Sequence, residues 1–293
     1  MRVPSNSCGE PYFYYTNQRL AVVAADGGAP RILTQSFDED ANLIDWADDG
    51  IYFSALQRTN GHLFRMDPAS GAIRRITGPD QFMAAGASFT KDHRTLAAIG
   101  GAPNHFAEVF ISPTLEFAPK PLTQMAAQWS EFRLGTREVV QWNSSDGTPI
   151  EGVLIKPADY DASRKYPLLV VLHGGPTGVD RALLGADRYD PIERFAAKGA
   201  LILRPNYRGS AGYGEKFRSL NVRNLGVGDY QDVISGVDSL IAKGLVDKDR
   251  VASMGWSEGG YISAFITTYS DRFRAVSVGA GISDWMTYYI DLY

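Results

Sequence analysis

The sequence predicts a chain in two parts: short antiparallel strands of the β-propeller type, then a largely parallel α/β sheet. Three observations predict this. Residues 20–34 (LAVVAADGGAPRILT), 63–77 (LFRMDPASGAIRRIT) and 109–123 (VFISPTLEFAPKPLT) repeat one strand–turn–strand pattern. From about Glu131 onward, apolar runs of strand length alternate with helical stretches. Near the end, one such run leads into Gly255-Trp256-Ser257-Glu258-Gly259-Gly260 and then an apolar helix.

In the first part the closing threonines Thr34, Thr77 and Thr123 are 43 and 46 residues apart. Between them lie further strands, at 51–55 after Asp48-Asp49-Gly50 and at 95–99 after Asp92-His93. A repeat of about 40–50 residues holding four short strands is the signature of propeller blades. Residues 1–130 hold about two and a half to three blades, whereas closed propellers have about four to eight. The expectation is therefore part of a propeller.

In the second part, 131–293, strands are expected at 139–142, 152–156, 168–172, 200–204, 250–254 and 275–278. The first two are joined by the turn Ser145-Asp146-Gly147. Short buried strands alternating with helices argue for a parallel sheet. One helix is expected to start at Asp190 as cap, with Pro191 in the first turn and Glu193 at capping-box spacing. Ile192, Phe195 and Ala196 would form its buried face, and Gly199 would stop it. A second spans 229–243, with Val233, Ile234, Val237, Leu240 and Ile241 on one stripe and Gly244 as its stop.

The chemistry lies in G-x-S-x-G between a strand and a helix. That context lifts a serine onto a tight turn with its Oγ above the sheet, and leaves no room for a Cβ at the flanking glycines. The helix N-terminus adds free N–H groups where an oxyanion develops. Counting strands puts His173-Gly174-Gly175-Pro176 after the third and Ser257 after the fifth, which is the order of an α/β-hydrolase domain. Ser257 is the expected catalytic nucleophile, with the backbone N–H groups of Gly175 and Glu258 as the oxyanion hole. His173 and Gly174 are expected to order that loop. The glycine-rich stretch from Arg204 to Gly214 matches neither phosphate-loop spacing and reads as a rigid turn.

Together, the blade repeats, the hairpin from Ser145 to Pro157, His173-Gly174-Gly175-Pro176, Asn206-Tyr207-Arg208-Gly209-Ser210 with Gly212-Tyr213-Gly214, and the segment around Ser257 resemble the prolyl oligopeptidase family of serine peptidases. That family places a propeller before an α/β-hydrolase domain. The His-Gly-Gly-Pro form is more similar to the acylaminoacyl-peptidase and bacterial dipeptidyl-peptidase branches, because prolyl oligopeptidase and dipeptidyl peptidase IV carry a tyrosine at the position of His173. The resemblance implies hydrolysis of short peptides through an acyl-enzyme, with the propeller as a size filter. It also implies a triad in the order serine, aspartate, histidine. Here all four histidines (62, 93, 105 and 173) precede Ser257. Asp271, Asp284 and Asp291 come too early for the triad acid. The expectation is a fragment, short at both ends, lacking the triad Asp and His and inactive alone. An esterase or amidase of the same fold, or a silent peptide-binding pseudo-hydrolase, remain as alternatives.

Composition narrows the partners. A net charge of −4, from 29 basic and 33 acidic residues without blocks, argues against nucleic acid. The longest apolar runs fall far below the ~18 residues of a membrane span. Cys8 is the only cysteine, so neither a disulfide nor a thiolate metal cluster can form within the chain. No cofactor and no metal are expected. Met1 to Glu10 lacks a signal-peptide pattern, and a cytoplasmic location is expected on that basis. Asp38-Glu39-Asp40 reads as a solvated loop, and His62, His93 and His105 as surface loop residues. Trp285, Tyr288, Tyr289 and Tyr293 could be core or interface, which allows a homo-oligomer.

Overall fold

The computed structural model describes residues 2–4, 15–78, 82–185 and 189–291. Cys8, Tyr293 and the side chains of Tyr289 and Asp291 lie outside the described part. The chain forms two compact units. One comprises Met1–Glu131 with Leu183–Gly185 and Ala211–Ser219, and the other Phe132–Ala182, Ala186–Ser210 and Leu220–Tyr293.

The first unit contains three antiparallel sheets. β1 (Arg2–Pro4), β2 (Gln18–Val22) and β3 (Arg31–Ile32) form the first; β4 (Asn42–Ala47), β5 (Gly50–Gln57), β6 (Asn60–Met66) and β7 (Ile73–Arg75) the second; β8 (Met83–Phe89), β9 (Thr95–Gly101), β10 (Glu108–Pro113) and β11 (Lys120–Pro121) the third. Each sheet pairs its strands in sequence order, as a blade does. The repeating threonines have a physical task. Thr34 Oγ1 accepts the Leu20 N–H at 2.9 Å, Thr77 Oγ1 the Leu63 N–H at 3.1 Å, and Thr123 Oγ1 the Val109 N–H at 2.9 Å. In each sheet the residue before the threonine donates its N–H back to the same strand residue, at 2.8, 2.7 and 2.7 Å. The hydroxyl thus closes the last strand pair where the ladder ends. Cores form between sheets. Leu20, Ile51, Phe53, Phe64 and Met66 make one, and Leu63, Ala84, Leu96, Ala98 and Phe110 the next.

Two expectations fail in this unit. Asp38-Glu39-Asp40 is not a solvated loop. Asp38 accepts from Asn17 Nδ2 (3.1 Å) and Glu215 N (3.0 Å), Glu39 from Gly212 N (3.1 Å) and Gly214 N (2.9 Å), and Asp40 from Gln18 N (2.6 Å) and Arg218 (2.7 Å). Residues 211–219, including α2 (Gly214–Arg218), supply most of these donors. His62 is not a surface residue either. It is 1% exposed on β6 and pairs through Nδ1 with Thr77 Oγ1 at 3.0 Å. His93 pairs with Asp45 at 2.9 Å, and His105 is exposed.

The second unit holds one six-stranded sheet: β12 (Thr136–Asn143), β13 (Pro149–Lys156), β14 (Tyr166–Leu172), β15 (Leu201–Asn206), β16 (Val246–Trp256) and β17 (Phe273–Gly279). Their order is β12-β13-β15-β14-β16-β17. The first two junctions are antiparallel and the other three parallel. Connecting helices are α1 (Ile192–Ala197), α3 (Gly228–Ala242), α4 (Glu258–Tyr269) and α5 (Trp285–Asp291). Val153, Ile155, Val171 and Ile202 pack against Ile192 and Ala196.

The start of α1 differs from expectation. Pro191 occupies the cap position without a side-chain cap bond. Glu193 is drawn away from a capping box because its carboxylate bonds Arg137, a buried residue on β12, and a charge-assisted pair outcompetes a neutral N–H. Phe195 is 37% exposed rather than core. In α3, Val233, Val237 and Leu240 are buried as expected, whereas Ile234 and Ile241 are half-buried.

Candidate active site

Ser257 sits between the last residue of β16 and the first of α4. Its φ is +58° and its ψ −118°, a left-handed conformation that costs a non-glycine residue on the order of 1–3 kcal/mol. The surroundings hold it there. Its N–H donates to the Gly279 carbonyl at 2.9 Å, and its carbonyl accepts from Tyr261 N at 3.0 Å. A Cβ on Gly259 would run into the Leu172 carbonyl, and one on Gly255 would lie 2.5 Å from the Gly259 carbonyl carbon. A Cβ on Gly260 would meet the Gly279 carbonyl. Strand, turn and helix therefore approach more closely than any side chain permits. Just before the serine, Trp256 stacks on Tyr189 at 4.5 Å, and both rings are exposed.

The loop after β14 packs directly on this turn. A Cβ built on Gly174 would lie 3.0 Å from Ser257 Cβ and 3.6 Å from Glu258 N. Gly175 follows with φ +129°, open only to glycine. The structure thus brings together Ser257, Gly174 and the N-terminus of α4, with Gly175 next in the loop. The first N–H groups of a helix have no partner within it, so the Glu258 N–H is available to a developing oxyanion.

His173 is spent on this loop. Its Nδ1 faces the Gly174 carbonyl at 3.0 Å and its Nε2 the Ser210 hydroxyl at 3.0 Å. The ring stacks on Tyr207 at 4.4 Å, and the Tyr207 hydroxyl donates to the His173 carbonyl at 2.6 Å. Burial pushes its pKa down, so the ring is neutral. Farther along, Asp180 N donates to Asn206 Oδ1 at 2.7 Å, and Asn206 Nδ2 returns a bond to the Asp180 carbonyl at 3.0 Å.

Tyr207 and Ser210 are fixed in turn by Arg208. Its backbone N, Nε and Nη2 all bond the buried Asp232 carboxylate, at 2.8, 2.9 and 2.7 Å. Its Nη1 bonds Asp146 of the β12–β13 turn at 3.0 Å. This pairing raises the guanidinium pKa further and holds Asp146 well below the usual carboxylate range. The arginine of the glycine-rich stretch is therefore neutralised within the unit, consistent with a rigid turn rather than a phosphate cradle. Sequence reasoning missed the acids of α3. Asp229 and Asp232 are both fully buried. Their one signal was position, beside the start of a helix whose other side is apolar. Glu258 was expected for its backbone alone, yet its side chain is 3% exposed, and burial pushes its pKa up to about 8.

Asp284 accepts from Met286 N at 3.0 Å and Thr287 Oγ1 at 2.6 Å, capping α5. Asp271 is exposed after α4. Among the described residues, no three His, Cys, Asp or Glu side chains are placed to hold a metal ion, and no helix is long and apolar enough to cross a membrane.

Residues 190–293, which include the strand–turn–helix elbow around Ser257, match the profile of the prolyl oligopeptidase family. This part of the chain is therefore similar to that family. It is 29% identical over 204 residues to the uncharacterized peptidase YuxL of Bacillus subtilis, covering 69% of this chain and 30% of that protein. It is 25% identical over 273 residues to dipeptidyl-peptidase 5 of Porphyromonas gingivalis, covering 90% of this chain and 39% of the relative. The chain thus spans well under half the length of these relatives. Among solved structures, the Pyrococcus horikoshii acylaminoacyl peptidase superposes with a TM-score of 0.81 at 23% identity, over 96% of this chain and 43% of the other. That likeness shows the fold: propeller blades followed by an α/β-hydrolase sheet.

Proposed function

We propose that this chain carries the nucleophile and oxyanion hole of a peptidase that cleaves short peptides through an acyl-enzyme on Ser257. The observation that carries the reading is Ser257 at φ +58° on a strand-to-helix turn, with the Gly174 backbone packed on its Cβ. Ser257 Oγ attacks the scissile carbonyl, and the oxyanion forms toward the N–H groups of Gly175 and Glu258. The serine proton passes to a general base and then to the departing amine as the C–N bond breaks. Water afterwards hydrolyses the ester. Neither His173, whose nitrogens are engaged, nor the three histidines of the first unit suit the base. We therefore assign the base and its aspartate to residues outside positions 1–293. On this reading residues 1–293 alone turn over on the order of 10⁶-fold more slowly than the protein with its triad.

A fluorophosphonate probe tests the proposal on the protein that carries this chain. Labelling is expected on Ser257 and is lost in Ser257→Ala. A folded protein that cleaves peptides yet takes no label at Ser257 would overturn the reading. An aminoacyl p-nitroanilide turned over faster than a p-nitrophenyl ester favours the peptidase over an esterase.

A further inference from the structure

Glu258 contributes two groups to the elbow. Its N–H lies at the N-terminus of α4, 3.6 Å from where a Gly174 side chain would begin. Its carboxyl group turns into the protein, 3% exposed, and among the described residues Oε1 has no hydrogen-bond partner. A buried carboxylate with an unused oxygen is costly unless a cation balances it.

Among the described residues, the groups around it supply no such balance. From α3, Asp229 faces Glu258 and raises its proton affinity. Asp229 is itself fully buried, accepting from Gly226 N at 3.1 Å and Tyr230 N at 2.7 Å. Asp232 raises the proton affinity of Asp229 in turn, and is itself paired with Arg208. From α4 come Tyr261 and, beyond it, Tyr269; burial holds the Tyr261 hydroxyl in its protonated form. From the facing loop, desolvation pushes the His173 pKa down, so it supplies no compensating cation. Arg208 is the cation of the cluster, and it is committed to Asp232 and Asp146. The environment favours a neutral carboxylic acid, and burial with the Asp229 charge pushes the Glu258 pKa up to about 8.

We infer that the Glu258 side chain is a positioning residue of the elbow that must be a neutral acid for the oxyanion hole to work, so that its ionisation closes the site from the alkaline side. The inference rests on Ser257 being the nucleophile. Its physical basis is local. The oxyanion develops against the backbone N–H of the same residue. A carboxylate one side chain away, about 6 Å, opposes that charge by roughly a hundredfold in rate at an effective dielectric of about 20.

Phosphonylation reads this directly. The Oγ–P bond forms, the P–F bond breaks, fluoride leaves, the serine proton goes to the base, and the phosphoryl oxygen enters the oxyanion hole. The rate of labelling at Ser257 is measured from pH 6.5 to 9.5 in the protein carrying this chain, in E258Q and in D229N. The ratio of the rate at pH 9 to that at pH 7 is expected to be about tenfold higher in E258Q than in the wild type. In D229N the alkaline fall moves to lower pH, because removing the neighbouring charge eases ionisation of Glu258. Should E258Q not fold, that shift in D229N carries the test. Wild-type and E258Q profiles of the same shape, or a D229N fall that stays or moves to higher pH, overturn the inference while leaving Ser257 as nucleophile. Absence of wild-type labelling at every pH overturns the nucleophile reading and this inference with it.

Discussion

The blades and the elbow both hold particular backbone N–H groups in place, and they do so by opposite means. In the blades a side chain does it three times over: Thr34, Thr77 and Thr123 each accept one N–H from a residue 14 positions earlier. In the elbow the absence of side chains does it once, because Gly255, Gly259 and Gly260 let three backbone segments meet. A repeated clamp is redundant, so losing one leaves the others. A single close approach has no substitute, and everything that supports it becomes critical.

The largest effect is expected at that support. Arg208→Ala strands the fully buried Asp232 without its cation, and should cost about 3–5 kcal/mol in urea denaturation of the second unit. It should also slow labelling of Ser257, since Tyr207 and Ser210 lose their anchor. Next, Gly259→Ala drives a methyl into the Leu172 carbonyl. A loss of about 1–3 kcal/mol is expected, together with loss of labelling. An unchanged labelling rate would show that the elbow can relax, and the contrast with the blades would collapse.

The pH dependence compares the two units through one acid each, half-buried Glu39 and buried Glu258. Burial pushes Glu39 up to about 7 and Glu258 up to about 8, from an ordinary value of 4.5. An acid with a raised folded pKa stays protonated in the fold while the unfolded chain gives up its proton. Stability is therefore greatest below about pH 4.5 and is lost as pH rises, up to about 7 for Glu39 and about 8 for Glu258. Denaturation midpoints followed against pH should flatten over the lower window in Glu39→Gln and over the whole window in Glu258→Gln. Parallel curves for wild type and variants would refute both assignments.

The smallest effects belong to the clamps. Thr77→Val leaves the buried Leu63 N–H without an acceptor and should cost about 1–3 kcal/mol. Thr123→Val, at a half-buried position, should cost about 0.5–1.5 kcal/mol. Neither should change the pH profile of Ser257 labelling. A clamp variant that abolished labelling would mean the blades are not redundant.

The sequence by itself determined what depends on neighbours along the chain. The phase of the three threonines, the six strands of the sheet and the glycines around Ser257 are all local spacings, and period and turn chemistry are enforced within a few residues. Tertiary structure decided the fate of the charges. Asp38-Glu39-Asp40 looked like a solvated loop because nothing nearby explains it; the Glu39 carboxylate is satisfied by Gly214, 175 residues away. Glu193 fits a capping box until Arg137, 56 residues earlier, claims it. His62 resembles a loop residue until β6 buries it against Thr77. Glu258 is one unremarkable letter of G-x-S-x-G until Asp229 is packed beside it. An apolar side chain needs only to leave water, so its pattern can be read in one dimension. A charged side chain needs a particular partner, and only the folded chain chooses which.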